Sequence, residues 1–151
     1  MTSLSTRMVT ALKTAIRREE KTSLIYEQKA KLATEEKVKA VLTSLAKQET
    51  GHARKLEKAL ERKDISSLGA KKSSASAGSL SLKNDDIRKL EVQTEMARVL
   101  AWAIRAEENS FKFYTSLSRI SKGLDVAELF SRLAEEELKH KERLEAVLAR
   151  L

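Results

Sequence analysis

The chain has 151 residues, enough for one domain with a sizeable buried core. It holds no cysteine, no proline, four glycines and only 4% aromatic residues, which excludes a disulfide framework, a cysteine zinc ribbon and a thiolate-bound iron centre and leaves little material for a sheet. The net charge is +8, but basic residues alternate with acids along the chain and lack stacking aromatics, so nucleic acid is not an expected partner.

Ala, Leu, Glu, Lys and Arg dominate, and the expected class is all-α. The first helical block runs from about Ser5 to Lys31, with Met8, Leu12, Ala15, Ile16, Tyr26 and Ala30 on one stripe. The second starts after Thr34 as N-cap, with Glu35 and Glu36 favoured by the helix dipole, and ends near Lys63. Its stripe is Val38, Val41, Leu42, Leu45, Leu56 and Leu60. The stretch DISSLGAKKSSASAGSLSLK that follows has no periodicity and reads as a linker over about 64–84. A third block opens at Asn84 or Asp85 and carries Met96, Leu100, Ala103, Tyr114 and Leu117. The fourth opens at Asp125, with Glu128 completing a capping box, and carries Val126, Leu129, Phe130, Leu133, Leu144, Val147 and Leu148.

Short links join the first block to the second and the third to the fourth. The expected architecture is therefore a four-helix bundle of two hairpins, about 5–63 and about 85–151, joined by a long crossover within a single domain spanning 1–151. No stretch approaches the roughly 18 apolar residues of a membrane span, and the first twenty residues lack the pattern of a secretory signal. A cytoplasmic location without membrane association is expected.

The two halves repeat. Shifting by 88 positions, 15 of the 48 pairs from 15 to 62 are identical, among them Glu19 with Glu107, Tyr26 with Tyr114, Glu49 with Glu137 and His52 with His140. These residues extend the apolar stripes in steps of three and four, which puts four acids and both histidines of the chain inside the bundle. Counted along the helices, the four acids lie about 15 residues, or roughly 22 Å, from the hairpin turns, so antiparallel helices bring them to one level.

Four buried carboxylates cannot remain ionised without compensation, because each unpaired buried charge costs several kcal/mol or takes up a proton. Two divalent cations with four glutamates and two neutral histidines give zero net charge. Each Glu-x-x-His, with its members three residues apart, places both groups on one helical face. Glu20 and Glu108 lie about 100° round the helix from Glu19 and Glu107 and read as acids beside the ligands rather than ligands. Trp102 reads as a packing or interface residue, and Met8 and Met96 as core fillers.

The order Glu19 with Tyr26, Glu49-x-x-His52, Glu107 with Tyr114 and Glu137-x-x-His140 resembles the rubrerythrin branch of the ferritin-like diiron carboxylate proteins. The resemblance covers both hairpins. It implies two iron ions, with manganese or zinc as alternatives, held by Glu19, Glu49, His52, Glu107, Glu137 and His140, and it assigns Tyr26 and Tyr114 to hydrogen bonds on the ligating carboxylates. Centres of this family react with hydrogen peroxide or oxygen, so the resemblance implies a peroxidase of oxidative-stress defence. The alternatives are a ferroxidase in iron handling and a metal-binding helical module without turnover. Two departures stand out. The chain lacks the cysteine-ligated module that delivers electrons in full-length rubrerythrins, which implies an external donor protein such as a rubredoxin, or iron itself. It also carries Ser110 where those proteins have a further glutamate. A homodimer is expected.

Overall fold

The computed structural model of the chain describes residues 6–62 and 95–151. Its four helices are α1 (Thr6–Leu32), α2 (Glu36–Arg62), α3 (Glu95–Ile120) and α4 (Asp125–Ala149), and among the described residues there is no strand. The expected linker and the expected start of the third helix at Asn84 or Asp85 lie outside the described residues. None of the described helices is long and apolar enough to cross a membrane.

The helices form as two hairpins, α1 with α2 and α3 with α4, packed into an all-α four-helix bundle. Two apolar clusters hold the hairpins together, and each draws on both. One surrounds the α1–α2 turn, where Ala33, Val38, Leu42 and Leu45 meet Ala97, Leu100, Ile104 and Leu148. The other surrounds the α3–α4 turn, where Val126, Phe130 and Leu133 meet Met8, Leu12, Leu56 and Ala59. The two turns thus sit at opposite ends, as a long crossover requires.

The inward stripes are those the periodicity predicts. Met8, Leu12, Val38, Leu42, Leu45, Leu100, Phe130, Leu133 and Leu144 are buried, while Leu60, Met96, Leu117 and Val147 pack as partly buried neighbours. Alanines complete the core, Ala53, Ala59, Ala97 and Ala101 letting the helices approach closely.

The helix starts differ from expectation. The Glu35 carbonyl accepts from the Lys39 N–H at 2.9 Å, which makes Glu35 rather than Thr34 the residue that opens α2. Leu124, in extended geometry, precedes the first turn of α4 with no side-chain cap, so Asp125 lies inside the helix and the capping box with Glu128 does not form. Both acids still face the positive end of the helix dipole. Gly123 explains the shift: its φ of 91° turns the chain sharply, and the turn closes through Leu124 N–H to the Ser121 carbonyl at 2.9 Å.

Gly51 sits mid-helix in α2, and a Cβ built there meets nothing within 4 Å. Gly51→Ala is therefore expected to stabilise the fold by about 0.5–1 kcal/mol. Phe130→Ala, emptying a fully buried site, is expected to cost about 3–5 kcal/mol. Urea denaturation of the two variants checks both signs.

Candidate metal centre

Between the two apolar clusters lies a polar layer. Helix α1 contributes Glu19, α2 contributes Glu49 and His52, α3 contributes Glu107, and α4 contributes Glu137 and His140. All six are buried, Glu49, Glu107 and Glu137 with no exposed surface at all. The structure brings these six residues together in one layer.

Both histidines turn Nδ1 toward the acids. His52 Nδ1 lies 3.1 Å from Glu19 Oε1, and His140 Nδ1 lies 3.1 Å from Glu107 Oε1. Glu49 and Glu137 sit between these two pairs: Glu49 Oε1 is 3.4 Å from each Nδ1, and Glu137 Oε1 is 3.5 Å from His52 Nδ1 and 3.1 Å from His140 Nδ1. The imidazole rings stack nearly parallel, with centroids 5.6 Å apart. One ligating atom each from Glu49, His52, Glu137 and His140 falls within a 4.8 Å span.

A test of whether cations fit this cluster comes from the unsatisfied atoms. Among the described residues neither oxygen of Glu49 and neither oxygen of Glu137 receives a well-directed hydrogen bond, although both are buried and histidine Nδ1 atoms lie close by. Buried polar groups are almost always satisfied, and leaving a charged one unmade costs more than an ordinary lost hydrogen bond. Hard carboxylate oxygens and imidazole nitrogens are the donor set of iron, manganese and zinc, and two shared carboxylates flanked by two Glu–His pairs suit two cations.

The protonation equilibria show the same strain. Burial raises the Glu19 carboxyl from 4.5 to about 7, against the His52 hydrogen bond and with the Glu49 charge adding to the rise. Burial likewise pushes Glu107 and Glu137 up. For the histidines burial works against the charged form, yet hydrogen bonds to Glu136 and Glu19 lift His52 to about 10, and the hydrogen bond to Glu107 with the adjacent carboxylates of Glu137 and Glu49 lifts His140 to about 12. The cluster thus retains protons that water-exposed groups would release.

Of the two tyrosines that the resemblance assigns to hydrogen bonds on carboxylates, Tyr26 makes one: its hydroxyl donates to Glu107 Oε2 across the hairpins. Tyr114 does not. Its ring is held by Phe113 (centroids 5.2 Å apart) and by Phe130 (6.2 Å), and its buried hydroxyl makes no hydrogen bond among the described residues. Ile25 and Leu42 stand at the corresponding positions beside Tyr26, so this aromatic clamp exists in one half only. Glu20 is exposed, and Glu108 pairs with Lys112 at 3.4 Å and Lys141 at 3.8 Å, so neither joins the cluster. Trp102 packs edge-on against Tyr26 at 5.8 Å with the Lys29 ammonium 4.7 Å from its ring centre. Ser110 is buried one turn from Glu107.

Sequence reasoning missed Glu136. Its Oε1 lies 2.7 Å from His52 Nε2, and Lys55 holds its other oxygen at 3.6 Å. The repeat carried a signal, because position 136 departs from its counterpart Gln48 directly beside a ligand.

The family model described as Rubrerythrin matches residues 10–92 and 98–151. No curated protein and no solved structure is matched.

Every raised value above exceeds that of the unfolded chain, so the native state binds more protons. The stability these groups contribute is complete below pH 4.5 for Glu19 and below pH 6.5 for His52, and is lost as pH rises through about 7 and about 10 respectively. Thermal denaturation of chelator-treated protein should therefore show a midpoint that falls between about pH 5 and pH 10, and added Mn²⁺ or Zn²⁺, displacing those protons, should raise it more at about pH 8 than at about pH 5.

Proposed function

This chain belongs to the rubrerythrin family, and from that premise we propose that it is a non-haem diiron oxidoreductase acting on hydrogen peroxide or oxygen. The observation that carries the reading is the buried layer in which two histidine Nδ1 atoms face four carboxylates, two of them without a well-directed hydrogen bond among the described residues. Glu19 with His52 would hold one iron, Glu107 with His140 the other, and Glu49 and Glu137, close to both histidines, would be shared. Iron bound there supplies the one-electron redox change and the open coordination positions that reduction of peroxide or oxygen requires.

The chain's own residues prepare that chemistry. The apolar clusters above and below the layer exclude water, which strengthens every electrostatic interaction within it. Burial and the Glu107 charge push the Tyr26 hydroxyl well above its ordinary value, so it keeps its proton and remains a donor to Glu107 Oε2. That hydrogen bond fixes one ligand's orientation from the opposite hairpin. Glu136 accepts from His52 Nε2 and leaves Nδ1 as the coordinating atom.

The 151 residues contain no cysteine, so no thiolate-bound iron centre within them delivers electrons. Reducing equivalents then come from an external donor protein, as in a peroxidase cycle, or from ferrous iron itself. The second route is ferroxidase activity, and the same cluster serves it.

Anaerobic titration with Fe²⁺ should reach two irons per chain, and one H₂O₂ should then oxidise two Fe²⁺. A peroxidase oxidises them faster with H₂O₂ than with O₂, and a ferroxidase shows the reverse preference. A chain that retains no iron refutes both. Tyr26→Phe should lower iron affinity or turnover by about tenfold or more, while Tyr114→Phe, removing a hydroxyl that bonds nothing among the described residues, should change either far less.

A further inference from the structure

The two halves of the cluster share their ligands but not the support behind their histidines. On one side Glu136 of α4 reaches across to α2, its carboxylate 2.7 Å from His52 Nε2 and 3.6 Å from Lys55 Nζ. Shifted by 88 positions, the counterparts of Glu136, His52 and Lys55 are Gln48, His140 and Arg143. There the arrangement is different. Gln48 turns its amide to Ser44 Oγ at 3.3 Å, and Arg143 donates to the same oxygen at 3.1 Å. An ionised carboxylate behind one histidine is thus matched by an exposed neutral amide, turned away, in the other half.

The consequence follows from the chemistry of imidazole. A carboxylate can only accept, so the hydrogen bond requires Nε2 to carry a proton, and once the ring gives up its other proton to a metal the lone pair is on Nδ1, which points at the cluster. The same bond fixes the ring's rotation and raises the basicity of Nδ1 as a ligand. His140 Nδ1 points into the cluster as well, but Gln48 gives it no such carboxylate.

We infer that Glu136 is a positioning residue that makes the two metal positions unequal, the one built on His52 binding its divalent cation more tightly than the one built on His140. The inference rests on the dimetal reading of the cluster and adds to it an order of filling. The first cation occupies the Glu19–His52 position, and the second enters at Glu107–His140.

The test is anaerobic calorimetric titration of the metal-free full chain with Co²⁺, repeated on Glu136→Gln and Gln48→Glu, with proton NMR of samples at one equivalent. Two steps of unequal affinity are expected in the unaltered chain. E136Q should weaken the tighter step by about tenfold to a hundredfold and leave the weaker one in place. Q48E should strengthen the weaker step alone. At one equivalent the hyperfine-shifted, exchangeable ring N–H signal should belong to His52, identified by its loss in His52→Gln.

Equal weakening of both steps in E136Q, unchanged steps in both variants, or first appearance of the His140 signal overturns the inference and leaves two-metal binding standing. Fewer than two Co²⁺ per unaltered chain overturns the dimetal reading itself. Circular dichroism verifies that E136Q folds, and if it does not, Q48E and the NMR assignment decide.

Discussion

Four carboxylates in the dry middle of a helical bundle are the constraint on which the rest of this structure depends. Isolated charges in such a place cost several kcal/mol each even after relaxation, so the chain survives only by supplying positive charge among them. Without metal that charge is protonic: both histidines are held above their ordinary range and Glu19, Glu107 and Glu137 are raised. The basic side chains nearby do not take over the task. Lys55 and Lys141 end on Glu136 and Glu108, acids beside the four buried carboxylates rather than those carboxylates themselves. Neutralisation therefore rests on exchangeable cations, protons or metal ions competing for the same lone pairs.

Much of this was legible before any coordinates. The apolar stripes, the steps of three and four that carry each stripe onto an acid, and the equal distances of the four acids from their turns depend only on helical geometry, which the sequence encodes directly. The 88-residue repeat added a second, independent count of the same residues. What stayed hidden depends on tertiary geometry. Helix starts depend on the dihedral angles of the turn, and Gly123 in left-handed geometry displaced an Asp125 cap that looked sound as a pattern. Whether a tyrosine hydroxyl reaches a carboxylate depends on its ring neighbours, and Phe113 and Phe130 decide that for Tyr114. Glu136 was indistinguishable from the surface acids around it, because its importance lies in a contact with another helix 84 residues away in sequence.

The repeat also separates two kinds of residue. Positions that face the cluster are identical in both halves, as a symmetric donor set demands. Positions one layer out have diverged: Thr14 and Trp102, Leu42 and Phe130, Gln48 and Glu136. A duplicated hairpin that needed only a fold would have no reason to keep its buried acids, since apolar residues of similar volume are as stable or more so in such places. Retained polar interiors beside altered surroundings are what a site under chemical demand leaves behind, with differences accumulating where they tune the ligands rather than replace them.

That separation bears on how one donor set would treat the metals it binds. Oxygen and nitrogen ligands alone do not choose iron over manganese or zinc, and affinity follows the metal's own order rather than the protein's wish. The protein's leverage lies instead in ligand orientation, the local dielectric and the hydrogen bonds behind each ligand. Here those levers differ between halves: among the described residues Tyr26 reaches a carboxylate and Tyr114 does not, and His52 Nε2 meets a carboxylate where His140 Nε2 does not. Two identical metals placed in this layer would therefore meet different fields, and a pair with unequal environments can pass through redox states one electron at a time instead of responding as a single symmetric unit.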